Sequence, residues 1–230
     1  MDDDGWAASA EAWIAAQGPE GDFTRRHVLD EPMLAATGGA RRALDVGCGE
    51  GRFCRMMAAS GIATVGIDPT ATLLARARAL HPGGDYREGR AEALPVEDGG
   101  FDLVVSYLTL IDIPDLRAAI PEMARALAPG GRLLIANLQS FQTAEPEGGR
   151  ARHAPPTIGR YMEERGAFYE WSGIRIRNWH RPLSTYMTLL LGAGLRLERF
   201  EEPLPTGGDP ERVARYVEAP WFLTMAWRKP

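Results

Sequence analysis

From Leu44 to Arg52 the chain reads LDVGCGEGR. Ala43 to Val46 is short and apolar, as a buried strand is, and Arg52 to Ala59 has helical spacing. Between them, Gly47, Gly49 and Gly51 permit a tight turn and close approach of a ligand to the backbone. The spacing is GxGxG, with Arg52 where a dinucleotide fingerprint, GxGxxG, has its third glycine. A pyrophosphate favours a helix N-terminus clear of negative charge. Here Glu50 lies at that end and Asp45 just before the loop, so the stretch suits a ligand carrying positive charge.

Working outward, strands and helices alternate. Thr64 to Ile67 reads as the second strand, and Thr70 to Leu80 as a helix capped by Asp68 or Thr70. Tyr86 to Glu88, Leu103 to Ser106 and Arg132 to Ala136 read as further strands. Leu116 to Leu127 is a helix stopped by Pro129-Gly130-Gly131. Such alternation predicts a parallel sheet covered on both faces. Upstream, Gly5 to Gln17 and Thr24 to Ala36 have helical spacing, the second interrupted at Pro32. Downstream, Ala167 to Trp171 and Ile174 to Trp179 flank Ser172-Gly173, a hairpin signal. A helix over Leu183 to Leu191 and strands over Leu195 to Phe200 and Trp221 to Trp227 complete the chain.

The 230 residues suit one domain, and the net charge of -5 disfavours bulk nucleic-acid binding. Lys229 is the only lysine, which excludes a P-loop lysine and a Schiff-base lysine. Cys48 and Cys54 are too few for a disulfide framework, which points to a reducing, cytoplasmic setting. His27, His81, His153 and His180 are scattered without metal-ligand spacing, so no metal site is expected. The start, MDDDGWAASA, lacks the basic and apolar regions of a signal peptide, and no stretch suits a membrane span.

Four motifs together resemble the class I S-adenosylmethionine-dependent methyltransferases of small-molecule type. They are LDVGCGEGR, GID ending at Asp68, EGRAEALPVEDGGFDLVVS from Glu88 to Ser106, and LAPGGRLLIANL from Leu127 to Leu138. The resemblance implies an α/β fold, Rossmann-like, with a seven-stranded mixed sheet of six parallel strands and one antiparallel, and helices on both faces. Residues 1–230 would then form a single domain: 1–40 a helical lid, 41–139 the cofactor-binding core, 140–182 a β-hairpin insert capping the substrate, and 183–230 the C-terminal helix with the last two strands. It further implies that S-adenosyl-L-methionine is bound by Asp45, Gly47, Cys48, Gly49, Arg52, Asp68, Pro69, Ala91, Glu92 and Ser106. Asp45 would order the ammonium group, directly or through water, and Asp68 the ribose hydroxyls. Relatives commonly carry an acceptor for the adenine amino group where this chain has Arg90, which cannot accept.

The segment after Ser106, Tyr107 to Asp112, lies beyond a strand's carboxyl end, where such sheets hold their ligands. Tyr107 and Asp112 are its polar candidates. Asp112 is either a general base or a cap for the helix beginning near Asp115. His180 at the expected mouth of the cleft ranks first as the base that a hydroxyl acceptor would need, and Asp112 second. Trp13, Arg25, Tyr161, Tyr169, Trp171 and Trp179 would hold the substrate. Arg150, Arg152, Arg160, Arg165, Arg175 and Arg177 make the insert locally basic. The expectation is methyl transfer to an oxygen or nitrogen of a small, planar or apolar metabolite by a monomer or homodimer. The rivals are an NAD-dependent oxidoreductase and a non-catalytic cofactor-binding protein.

Overall fold

A computed structural model describes residues 4–18, 20–144 and 158–230. The arginines at 150 and 152, the histidine at 153 and the proline- and glycine-rich part of the expected insert lie outside them. In chain order come α1 (Trp6–Gln17), a π-helical turn over Arg25–Leu29, α2 (Asp30–Ala36), β1 (Arg42–Val46), α3 (Arg52–Ala59), β2 (Ala63–Asp68), α4 (Ala71–Leu80) and β3 (Asp85–Glu88). Then follow β4 (Phe101–Tyr107), α5 (Leu116–Ala126), β5 (Leu127–Leu138) and the short α6 (Ser140–Thr143). The rest is β6 (Arg165–Trp171), β7 (Ile174–His180), α7 (Leu183–Gly192), β8 (Arg196–Glu201), α8 (Pro210–Glu218) and β9 (Phe222–Arg228).

Seven strands form one sheet in the order β3-β2-β1-β4-β5-β9-β8. The first five pair in parallel, and β9 runs antiparallel to both of its neighbours, so six strands point one way and one the other. Side-chain alternation along the central strands divides the core. Leu44, Val46, Val104, Leu133 and Ile135 pack with residues of α5 and α7. Ala43, Leu103, Val105, Leu134 and Ala136 face the other way, with the helical segment Val28 to Met33 and with Phe53 and Met57 of α3. A strand apolar on both faces can only lie in the middle of such a sandwich. No helix among the described residues is long and apolar enough to cross a membrane.

Several boundaries differ from the sequence expectation. The second helix is interrupted at the π-helical turn Arg25–Leu29 instead of at Pro32, where the Asp30 N–H bonds Arg25 O. Pro32 then falls in the first turn of α2, where a missing N–H costs little. Neither Asp68 nor Thr70 caps α4 through a side chain; Asp68 Oδ1 instead accepts from Thr70 N at 2.8 Å. Helix α8 has a start signal that the sequence reading passed over, Asp209 before Pro210, and Asp209 accepts from Glu211 N.

The loop after β4 is held from below by Arg181. This side chain is 2 % exposed. It donates to the carbonyls of Leu110, Ile113 and Pro114 at 3.1, 2.7 and 2.9 Å. These are the carbonyls of a loop with no sheet partner, and the guanidinium fork satisfies all three. Arg181→Met would leave them buried without a donor. The expected loss is about 3 kcal/mol of unfolding free energy, read from urea denaturation.

Candidate active site

The site begins at the end of β1. Gly47, Gly49 and Gly51 have φ of 75°, 56° and 74°, the left-handed region that only glycine enters freely. At Gly47 a side chain would collide with the methyl group of Thr109, and at Gly51 a Cβ would stand 2.6 Å from the Tyr86 ring. The loop is tied to β2: Gly47 N and Cys48 N both donate to Ile67 O, at 2.7 and 3.0 Å. Asp68 Oδ2 accepts from Gly49 N at 2.9 Å. One carboxylate therefore fixes the glycine loop through one oxygen and the start of α4 through the other.

Behind the loop lies Asp45, 1 % exposed. Its Oδ2 accepts from the Cys54 thiol at 3.3 Å, while its Oδ1 has no hydrogen-bond partner. Burial pushes its pKa up to about 7, with the nearby Asp68 charge adding to the shift and the Cys54 bond opposing it. A buried carboxylate oxygen without a donor is costly unless something arrives to pair with it. Glu50, by contrast, is already paired: Arg55 Nη2 donates to both of its oxygens at 2.9 Å. The acid that speaks for a cationic ligand is therefore Asp45. Although a bond to Cys54 favours its thiolate, burial beside Asp45 and Asp68 holds the Cys48 thiol above the usual range. Cys48 is a small packed residue; its sulfur would meet any Cβ at Gly66.

These residues border one cleft of about 1050 Å³, its open mouth included, at the carboxyl ends of β1, β2 and β4. Asp45, Gly47, Cys48, Gly49, Arg52, Asp68, Pro69, Ala91 and Glu92 all line it, as do Trp13, Arg25, Tyr107 and Asp112. Ser106 does not. It is fully buried one residue earlier on β4, and strand alternation turns Tyr107 toward the cleft in its place. Arg90 borders the cleft with an ion pair to Glu92 at 3.5 Å.

The roof is the N-terminal segment. Trp6 and Trp13 of α1 meet edge to face, ring centroids 5.9 Å apart. The Arg25 guanidinium lies 5.5 Å from the Trp13 ring and 5.9 Å from that of Tyr107. Its Nη1 donates to Gln17 and to Asp22. Arg52 binds the roof to the core: it donates to both Asp30 oxygens, at 2.8 and 2.5 Å, and to Glu20 O. The Tyr107 hydroxyl donates to the same Asp30 at 2.8 Å. Gln17 and Asp4 line the cleft and Asp30 anchors its roof, and the sequence reading misses all three. Single polar residues in a helical stretch carry no signal of which distant group they meet.

Asp112 is not a helix cap, since Asp115 takes that place by accepting from Arg117 N and Ala118 N. Asp112 accepts instead from the Asn178 amide of β7 and from the Trp6 indole. Burial holds its carboxyl well above the usual range, and the Asp68 and Asp4 charges add to that shift. Tyr107 is pushed above the usual phenol range by burial and by Asp30.

The hairpin stands elsewhere than expected. None of Tyr161, Tyr169, Trp171, Trp179 and His180 lines the cleft. Strand β7 instead carries α1: Ser9 Oγ donates to Arg175 O and accepts from Arg175 N, and Arg177 N donates to Asp4 O. Trp171 at the hairpin turn is exposed. His180 is buried with both ring nitrogens engaged, Nε2 against Tyr161 O at 2.8 Å and Nδ1 against Thr143 Oγ1 at 2.7 Å. Burial lowers its pKa. Both ring nitrogens are occupied within the fold and neither borders the cleft.

Residues 44–135 match the family described as methyltransferase domain. A malonyl-[acyl-carrier protein] O-methyltransferase of Erwinia billingiae is 38% identical over 100 residues, covering 44% of this chain and 40% of that protein. A ubiquinone biosynthesis O-methyltransferase of Chelativorans sp. is 35% identical over 121 residues, covering 51% of this chain and 48% of that protein. The chain spans about half the length of these curated relatives. The crystal structure of an S-adenosylmethionine dependent methyltransferase from Mesorhizobium loti is similar with a TM-score of 0.73 at 29% identity, covering 86% of this chain and 96% of that one.

Asp45 makes the site measurable through stability. The folded protein keeps the Asp45 proton up to a pH of about 7, whereas the unfolded chain releases it near the ordinary carboxylate value of 3.8. Between those limits the folded state binds more protons, so this group lowers stability as the pH rises. Asp45→Asn removes the effect. Its stability relative to the parent protein should rise by up to about 4 kcal/mol between pH 4 and pH 7, read from urea midpoints at each pH.

Proposed function

Because the chain belongs to the class I S-adenosylmethionine-dependent methyltransferase family, we propose that its cleft binds S-adenosylmethionine and that it methylates an oxygen or nitrogen of a small, planar or apolar metabolite. The observation that carries this reading is the unpartnered Asp45 Oδ1, buried behind a loop where side chains are excluded. An ammonium group is the partner such an oxygen lacks. The Asp68 oxygens accept the backbone N–H groups of Gly49 and Thr70 and the Thr70 hydroxyl, and a carboxylate's remaining acceptor capacity would take a ribose hydroxyl. Pro69, Ala91 and Glu92 border the same cleft on the adenine side.

When bound, the cofactor supplies an electrophilic methyl group on a good leaving group, which leaves the protein mainly proximity and alignment to provide. Trp6 and Trp13 close the cleft with flat apolar surfaces suited to a planar acceptor. Arg25 adds a cation beside them, where an anionic group on the acceptor would be received. For a hydroxyl acceptor, Asp112 takes the proton. It lines the cleft, and the burial that raises its pKa makes it a stronger base than a solvated carboxylate. Tyr107 is engaged as a donor to Asp30 and holds the roof. Oxygen is the favoured acceptor atom, since both curated relatives carry the name O-methyltransferase.

Calorimetry with each cofactor tests the binding half. S-adenosylhomocysteine should bind and NADH should not. Asp68→Ala should weaken S-adenosylhomocysteine by about tenfold or more, the worth of a hydrogen bond to a charged group. NADH binding alone would favour the oxidoreductase, and unchanged affinity in Asp68→Ala would misplace the ribose. The catalytic half is tested by S-adenosylhomocysteine release with phenols, catechols and amines. Turnover is expected with at least one phenol or catechol, and a large fall in kcat with Asp112→Asn. Binding without turnover on any acceptor would leave a non-catalytic cofactor-binding protein.

A further inference from the structure

Strand β8, Arg196 to Glu201, reads RLERFE and ends the sheet. Its inner side pairs with β9, and among the described residues its outer side carries no strand. An open edge offers a row of N–H and C=O groups to another strand. This edge sequence is its own antiparallel complement. Set against a second copy of itself, Arg196 opposes Glu201, Leu197 opposes Phe200, and Glu198 opposes Arg199.

The faces agree as well as the charges. Pairing with β9 shifts by one residue between Leu197 and Arg199, so Leu197 lies opposite Trp227 and Phe200 opposite Met225. Trp227 and Met225 belong to one core cluster, on the side of α5 and α7. Directly opposed residues share a face, so Leu197 and Phe200 share that side. In an unbroken strand, residues three apart would point to opposite faces. A bulge at an edge ordinarily discourages pairing; here it brings the two apolar residues into phase. Both are 39% exposed. Glu198 is held by Arg228, and Arg199 by Glu201, whereas Arg196 makes no ion pair among the described residues.

We propose that β8 is the interface between two copies of this chain, paired antiparallel about a two-fold axis normal to the sheet. Leu197 then packs on Phe200 of the partner subunit, and Arg196 meets Glu201 of the partner subunit. Both contacts occur twice, as an isologous interface requires. Reversal of strand direction across the axis points the two clefts to opposite ends, and neither is covered.

Sedimentation velocity of the full chain over a wide concentration range is the test. A species of twice the chain mass is expected, with Phe200→Asp sedimenting as a monomer. Arg196→Glu should raise the dimer dissociation constant by about tenfold, since an attraction becomes a repulsion at two sites. Arg196→Glu/Glu201→Arg restores opposite charges across the axis and should recover association. That recovery separates the proposal from simple misfolding of Phe200→Asp. A parent protein that stays monomeric at every concentration overturns it. So does a dimer indifferent to both single substitutions, or a charge reversal that fails to rescue.

Discussion

At Gly47 and Gly51 the turn between β1 and α3 has room for backbone and nothing else. Gly47 faces Thr109, Gly51 faces the Tyr86 ring, and Gly66 on the neighbouring strand faces Cys48. Because the backbone is confined there, Ile67 O and the Asp68 carboxylate can reach its N–H groups. Everything else in the site is registered against that fixed point. Asp45 is buried behind it, α3 starts from it, and Arg52, first residue of α3, reaches out to the roof.

The roof depends on charge as much as on packing. Trp6 and Trp13 supply the surface, but α1 has little buried apolar area of its own. It is held by β7 through Ser9 and the backbone at Asp4, and by Asp112 through Trp6. The segment following it is held by Arg52, Asp30 and Tyr107, half-buried or buried groups whose bonds complete one another. Breaking one partner of such a network leaves an uncompensated charge, which costs more than the pair itself contributes. The hairpin acts on the cleft at second hand, by supporting the helix that covers it and by presenting Asn178 to Asp112.

Much of this was legible in the sequence. The βα alternation, the glycine spacing, Asp45 and Asp68 are local patterns, and each stands where its pattern placed it. The Ser172-Gly173 turn was equally local, with φ of 47° and 80° at its two residues. The errors were of a different kind. His180 and the hairpin aromatics were placed at the cleft from their position in the chain. His180 bonds Tyr161 O and Thr143, the Tyr161 hydroxyl accepts from Leu183 N, and the Trp179 ring lies under Arg181. Ser106 was assigned to the cleft one residue too early, because strand phase relative to the cleft is not written in a run of apolar residues.

The sequence by itself determined the sheet, its helical cover and the two carboxylates of the glycine loop, because each depends on residues close together along the chain. Tertiary structure alone decided that Asp112 and not His180 faces the cleft, that Arg55 neutralises Glu50, and that Arg52 and Tyr107 meet on Asp30. The physical reason is burial. Whether a polar group is free to act depends on which donors and acceptors surround it once water is gone, and those neighbours come from parts of the chain that only folding brings together.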